Sequence, residues 1–205
     1  MVGTHVTEGL AITFQRLGRE HFELLGHWLA EPHVGRWWNH DPSPEAIEND
    51  FAATVDGSEP AQDFIALVHG DPVGVIQFCF FHDYPEYVAE MVDVYPVGID
   101  AATIDYFIGE PTTVGQGFGT AMIGQFVARI WIEEPDVGHL VVPVNSANVA
   151  SWKALLSAGF RLVGRGELAP DNPIDDRMHE ILRIDRPAKA PGSSSPALSP
   201  GSSPG

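Results

Sequence analysis

The stretch Val114-Gly115-Gln116-Gly117-Phe118-Gly119-Thr120 sets three glycines on alternate positions, between an apolar run and the start of an amphipathic segment. Glycines so spaced let a backbone come close to a ligand, and successive N–H groups at a helix N-terminus form an anion site. A phosphate-bearing cofactor is the natural guest. No Gly-Lys-Ser/Thr follows, so the stretch is not a P-loop, and Thr120 stands where the dinucleotide fingerprint has glycine. Taken alone, the same residues also suit a tight strand-to-helix connection.

Working outward, Thr103 to Ile108 reads as the strand before the turn, and Thr120 to about Glu133 as the helix after it. Leu140 to Val144 reads as the next strand. Asn148 to Ala158 reads as a helix ended by Gly159, with two last strands over Arg161–Gly166 and Met178–Ile184. Toward the N-terminus, Ala11 to Leu17 alternates as a half-buried strand does. Phe22, Leu25 and Leu29 fall at helical spacing, with Pro32 helping to end that helix. Ser43-Pro44-Glu45 reads as an N-cap followed by proline at the first helical position, opening a helix through Ile47, Phe51 and Val55. Gln62–Val68 and Val73–Phe81 read as strands joined by the turn His69-Gly70-Asp71-Pro72. Asp83 to Asp100 is acidic and aromatic without clear periodicity and reads as a long loop. This mixture predicts an α+β or α/β layered fold, with helices packed on one central sheet.

The chain has 205 residues, with 11 Lys and Arg against 28 Asp and Glu, a formal net charge of −17. That balance excludes a nucleic-acid-binding module and an anionic membrane surface as partners, since both need clustered cations. No apolar run approaches the roughly 20 residues of a membrane helix, and the start shows no secretory signal. The lone Cys79 has no internal disulfide partner. Together these predict a cytoplasmic protein. The last nineteen residues, 187–205, hold five Pro, three Gly and six Ser. They read as a disordered tail, leaving residues 1–186 as one domain. From Trp37 through Ala128 there is no Lys or Arg, but there are fifteen Asp and Glu. Such a stretch is either a funnel for a cationic ligand or a solvated acidic surface.

The order of strand, glycine turn, helix, strand, then Asn148 opening a helix that closes on Ala158-Gly159-Phe160, resembles the acyl-CoA-binding half of the GNAT N-acetyltransferase superfamily. In that superfamily the turn reads Arg/Gln-x-x-Gly-x-Gly/Ala and cradles the pyrophosphate of acetyl-CoA. Gly117 and Gly119 match its glycines, and Val114 stands at its first position. The resemblance therefore implies acetyl-CoA as co-substrate, held by Val114 through Thr120 and by Asn145 and Asn148. It further implies a mixed central sheet, splayed at the acyl-CoA site, with helices on both faces. Just upstream, Asp105-Tyr106-Phe107-Ile108-Gly109-Glu110-Pro111 is similar to the Asp-Gln-Phe-Ile-Gly-Glu-Pro signature of aminoglycoside 6′-N-acetyltransferases. His27-Trp28-Leu29, Val34-Gly35-Arg36-Trp37-Trp38 and Asp71-Pro72-Val73-Gly74 agree with it as well, so the likeness spans about residues 10 to 186.

Making an amide from a thioester takes a neutral amine, a polarised carbonyl and a thiolate leaving group. The branch implies a cationic small-molecule amine as acceptor, with Asp105 as the carboxylate that holds the ammonium and accepts its proton. Main-chain N–H groups at Phe107 or Ile108 are the candidates for the oxyanion. The place from which many members protonate the thiolate with Tyr is Leu155 here, which leaves the general acid unassigned. Trp37, Trp38, Asp41, Asp83, Tyr84, Glu86 and Tyr87 are candidates for acceptor recognition, through acidic groups and flat aromatics. Core packing remains the other reading of the Trp pair, and a solvated surface that of the acids. The histidines lack metal-ligand spacing, so no metal is expected, and Cys79 reads as a small strand residue. A monomer and a homodimer are both open. Other acceptors that keep the fold are a siderophore-type hydroxylamine, a lysine side chain, a polyamine or a protein amine. From another class, a silent acyl-CoA- or polycation-binding module also fits.

Overall fold

The structure, a computed structural model, describes residues 10–188. Most of the tail expected over 187–205 lies outside the described residues.

The sheet opens with β1 (Ile12–Arg16), followed by α1 (Phe22–Ala30), α2 (Pro32–Trp38) and α3 (Pro44–Asp56). Then come β2 (Gln62–Val68), β3 (Asp71–Phe80), α4 (Pro85–Met91) and β4 (Ala101–Ile108). The C-terminal part is α5 (Phe118–Glu133), β5 (His139–Asn145), α6 (Val149–Ser157), β6 (Arg161–Glu167) and β7 (Met178–Asp185). The seven strands form one sheet in the order β1-β2-β3-β4-β5-β7-β6. Every neighbouring pair is antiparallel except β4 with β5. This is the layered α/β arrangement that the sequence predicts, with the mixed character confined to the central pair.

Side-chain alternation along the strands sorts the core into two faces. On one face Ile76, Ile104, Leu140 and Val142 pack against Met122, Phe126 and Ile130 of α5 and Leu155 of α6. On the other, Ile65, Val75 and Phe107 pack against Leu25, Trp28 and Leu29 of α1, Val34 of α2, and Ile47 and Phe51 of α3. A smaller cluster brings Met91 of α4 against Ala101, Val141 and Ile181.

Two local expectations are corrected. Pro32 does help to end α1, as read, but it also begins α2. Glu31 is extended (φ −66°, ψ 131°), and proline, with φ preset and no N–H to satisfy, sits at the first turn of the new helix. Asn39 then closes α2 in the left-handed region, at φ 46°. The second correction is α4, inside the expected loop over Asp83 to Asp100. Proline opens this helix too. Seven residues are too few to show a period in sequence, and it is burial of Met91 that holds them.

The feature that positions the site is a split. β4 and β5 pair only through Ala101 with His139 and Ala102 with Leu140, after which the strands diverge. The last six residues of β4, through Ile108, keep β3 on one side and face an opening on the other. The splay implied by the resemblance is therefore present.

Candidate active site

The divergence of β4 and β5 opens a cleft of about 780 Å³, walled by β4, the glycine turn, β5, α6, α2 and the β6–β7 loop. Its two ends differ in chemistry.

At one end, the glycine turn runs into α5. Gly115 and Gly117 both take left-handed conformations, at φ 76° and 88°, where a side chain costs roughly 1–2 kcal/mol. Gly117 is the N-cap of this sixteen-residue helix and offers no side-chain acceptor. The first N–H groups of α5 therefore keep their donors and the positive end of the helix dipole for an anion. That donor set, beside a split wide enough for an extended arm, fits the pyrophosphate and pantetheine of acyl-CoA. Val114, Gly115, Gly117, Gly119 and Thr120 line the cleft; Gln116 and Phe118 do not. Gln116 Nε2 donates to Thr112 O, and Phe118 packs on the core. Asn148 caps α6, its Oδ1 accepting from Ser151 N at 3.2 Å, and lines the cleft. Asn145 also lines it, although its side chain is engaged with Asp176 O and Ala147 N. Lys153 adds a cation on the same wall.

At the other end stands Asp105. Alternation puts it on the face of β4 opposite Tyr106, toward α2 and the acidic half of the chain. Gln77 lies beside it on β3 and Asp63 beyond on β2, so the row Asp63, Gln77, Asp105 crosses three strands. Asp63 is buried and accepts from Thr54 Oγ1 at 2.5 Å and from Gln77 Nε2 at 2.8 Å. Asp105 has open surface inside the cleft, yet the shell around it is protein. That enclosure pushes its carboxyl up to about 6, and the charges of Asp171 and Asp63 push it the same way. A carboxyl so placed can alternate between holding an ammonium group and accepting its proton near neutral pH.

Asp171, which no sequence signal pointed to, comes from the loop between β6 and β7. Enclosure raises its carboxyl too. The loop is tied to α2 by three side-chain contacts: a forked pair of Arg36 with Asp175, Asn39 Nδ2 to Asp171 O at 3.1 Å, and Asn172 Nδ2 to Arg36 O at 3.3 Å. His33, likewise unforeseen, donates from Nε2 to Ile108 O at 2.9 Å.

Trp37 and Trp38 both line the cleft. Trp38 stands edge-on to Phe107, 4.7 Å between centroids, and Trp37 lies under the Arg36 guanidinium at 4.2 Å. The other aromatic and acidic candidates are not brought to the cleft wall. Asp41 accepts from Ser43 N. Asp83 lies beside His82. Tyr84 stacks on Tyr87 and donates to Glu59, while Glu86 sits on α4. Tyr87 is nonetheless close enough to Asp105 for that charge, second to burial, to raise its phenol. Cys79 is buried, its thiol pushed up to about 12 chiefly by that burial.

The two oxyanion candidates now separate. Gly109 N donates to Val73 O on β3. N–H groups alternate along an antiparallel strand, so Phe107 N–H points to β3 as well. Ile108 N–H points into the split, as does its carbonyl, which His33 reaches. Phe107 instead serves by its ring, between Trp28 and Trp38.

A helix start with uncapped N–H donors and an enclosed carboxyl, at opposite ends of a cleft in a split sheet, suit acyl transfer from a phosphate-bearing donor. The chain belongs to the acetyltransferase (GNAT) family, whose domain model matches residues 18–168, and it takes its acyl group from acetyl-CoA. Among curated proteins it is similar to aminoglycoside N(6′)-acetyltransferase type 1 of Klebsiella pneumoniae, 22% identical over 167 residues and 80% of each chain. It is also similar to lysine N-acyltransferase MbtK of Mycobacterium tuberculosis, 22% identical over 144 residues, 69% of this chain and 65% of that one. Among solved structures, aminoglycoside acetyltransferase AAC(6′)-Ib in complex with coenzyme A superposes with a TM-score of 0.74 at 19% identity. That match covers 86% of this chain and 95% of the other. Among the described residues, no helix is long and apolar enough to cross a membrane.

Proposed function

We propose that the protein acetylates the 6′-amine of an aminoglycoside by direct transfer within a ternary complex. The observation that carries this reading is the enclosed carboxyl of Asp105, in a cleft that Asp171 and Trp38 also line. A polycationic sugar finds there a second anionic group and a flat apolar ring, and one of its ammonium groups meets a carboxylate able to take its proton. Asp105 holds that ammonium as an ion pair, accepts the proton, and leaves a neutral nitrogen facing the acyl carbon. Ile108 N–H donates to the carbonyl oxygen as it gains charge. The α5 N-terminus and Lys153 hold the phosphates and so fix the thioester's depth.

Likeness to a lysine N-acyltransferase supports a second reading, a lysine or hydroxylamine acceptor at the same Asp105. Steady-state thiol release with kanamycin, tobramycin, lysine, N-hydroxylysine and spermidine separates the two. Turnover of kanamycin or tobramycin with the highest kcat/KM is expected. Turnover of lysine or N-hydroxylysine alone would replace the first reading with the second.

A further inference from the structure

The departing thiolate needs a proton, and Leu155 occupies the α6 position from which related enzymes supply it. Leu155 is fully buried and has none to give. A phenol is present on the opposite wall. Tyr106 projects from β4 toward α6, with its hydroxyl 2.8 Å from Ser151 Oγ and 3.1 Å from Ser151 O, and both residues line the cleft. Ser151 lies one turn before residue 155 on the same stripe of α6. Helical side chains lean toward the N-terminus, over the preceding turn. A phenol carried at position 155 would thus end over the turn that holds Ser151. Tyr106 brings its hydroxyl to that turn from across the split, next to Ile108 and its inward N–H. We propose that Tyr106 is the catalytic acid for the leaving sulfur, with the Ser151 hydroxyl as its proton conduit. The proposal rests on acyl transfer in this cleft, whatever the acceptor.

As the amine nitrogen bonds to the acyl carbon, the C–S bond breaks and its electron pair goes to sulfur. Tyr106 gives its phenolic proton to that sulfur. The Ser151 hydroxyl returns a proton to the phenolate oxygen and is refilled from water in the cleft. The proton lost by the amine leaves through Asp105, on the other face of β4, so that an amine and a thioester become an amide and a thiol. Burial holds the Tyr106 phenol above its ordinary range, so it carries its proton at neutral pH. The same enclosure raises the proton affinity of a thiolate beside it. A purely structural role, tying β4 to α6, is the competing account.

Tyr106→Phe should lower kcat roughly 10²-fold while leaving KM for acetyl-CoA near its wild-type value. A second readout needs no turnover: titration calorimetry with CoA and desulfo-CoA. Wild type should prefer CoA by about fivefold through the hydrogen bond to sulfur, and Tyr106→Phe should bind the two equally. A folded Tyr106→Phe with wild-type kcat, or with the CoA preference intact, overturns the proposal. Should that variant fail to fold, Ser151→Ala keeps the phenol and breaks only the conduit; an unchanged rate there overturns the proposal equally. A wild type that transfers to no amine would sink the acyl-transfer reading itself, while the calorimetry still decides whether Tyr106 touches the sulfur.

Discussion

Arg36 on α2 and Asp175 on the β6–β7 loop, 139 residues apart in sequence, form a forked ion pair with one arm of 2.7 Å. Asp175 is nearly enclosed, its carboxylate 8% exposed, and the Arg36 guanidinium holds it below the usual carboxylate range. The pair joins the two halves of the molecule that the split sheet separates, and fixes the loop that carries Asp171 at the Asp105 end of the cleft.

Arg36→Ala should therefore raise the acceptor KM several-fold, with little change in KM for acetyl-CoA. Arg36→Lys should not restore it, because an ammonium cannot reproduce the two-pronged geometry. Steady-state kinetics with both substrates varied checks this. An equal rise in both constants would mean that the pair supports the fold generally and not the acceptor end.

Asp105→Asn should lower kcat by at least about 10²-fold while acetyl-CoA binding persists. In wild type, kcat/KM for the acceptor should climb as pH rises through about 6, since below that value Asp105 keeps its proton and can neither attract nor deprotonate an ammonium group. The variant should lose that limb. A pH–rate series for both proteins is the measurement.

The same substitution should stabilise the fold. The Asp105 carboxyl rises from 3.8 to about 6 on folding, so the stability it contributes is present below the unfolded value and lost as pH climbs through about 6. A difference of that size corresponds to about 3 kcal/mol for a fully enclosed group, and solvent inside the cleft scales it to about 1–2 kcal/mol. Asp105→Asn should thus melt higher than wild type at pH 8 and no higher at pH 4, by calorimetry. Equal melting at pH 8 would show that the carboxylate is better solvated than its surroundings imply.

Gly109→Ala should destabilise the fold. A Cβ there would lie 2.1 Å from Trp28 Cδ2, ring atoms that cannot move without disturbing Phe107 and the α1 core. Overpacking of this kind costs about 1–3 kcal/mol, or roughly 3–10 °C in Tm for a domain of this size. Thermal unfolding gives the answer, and an unchanged Tm would mean that Trp28 has room to retreat.

Raising ionic strength should weaken the acceptor more than a neutral analogue would be weakened, because the charges from Trp37 to Ala128 are all acidic apart from histidine. An acceptor KM constant from low to high salt would leave that acidity as surface only.

Much of this architecture was legible because its causes are local. Alternation along Gln62–Val68, the Ser43-Pro44 helix start and the glycines at 115, 117 and 119 each act on residues a few positions away, and the elements formed where those signals stood. Local reading failed at Pro32, which both stops one helix and starts another, and at Pro85–Met91, where seven residues carry too short a pattern. Asp105 was legible through the signature around it. Tyr84 and Glu86 carry the right residue types on the acidic stretch, but neither lines the cleft, Tyr84 donating to Glu59 and Glu86 sitting in the first turn of α4.

The sequence by itself determined most of the strand and helix order, the glycine turn that opens α5, and a carboxylate on a central strand, since each is encoded within one short run of residues. Only the tertiary structure decided that Asp171 joins Asp105, that Arg36 holds the loop bringing it there, that Ile108 and not Phe107 turns its N–H inward, and that Tyr106 reaches Ser151. Those relationships depend on strand register and on where β4 and β5 part. Tyr106 and Ser151 stand 45 residues apart and Arg36 and Asp175 stand 139 apart, distances over which no local pattern carries information.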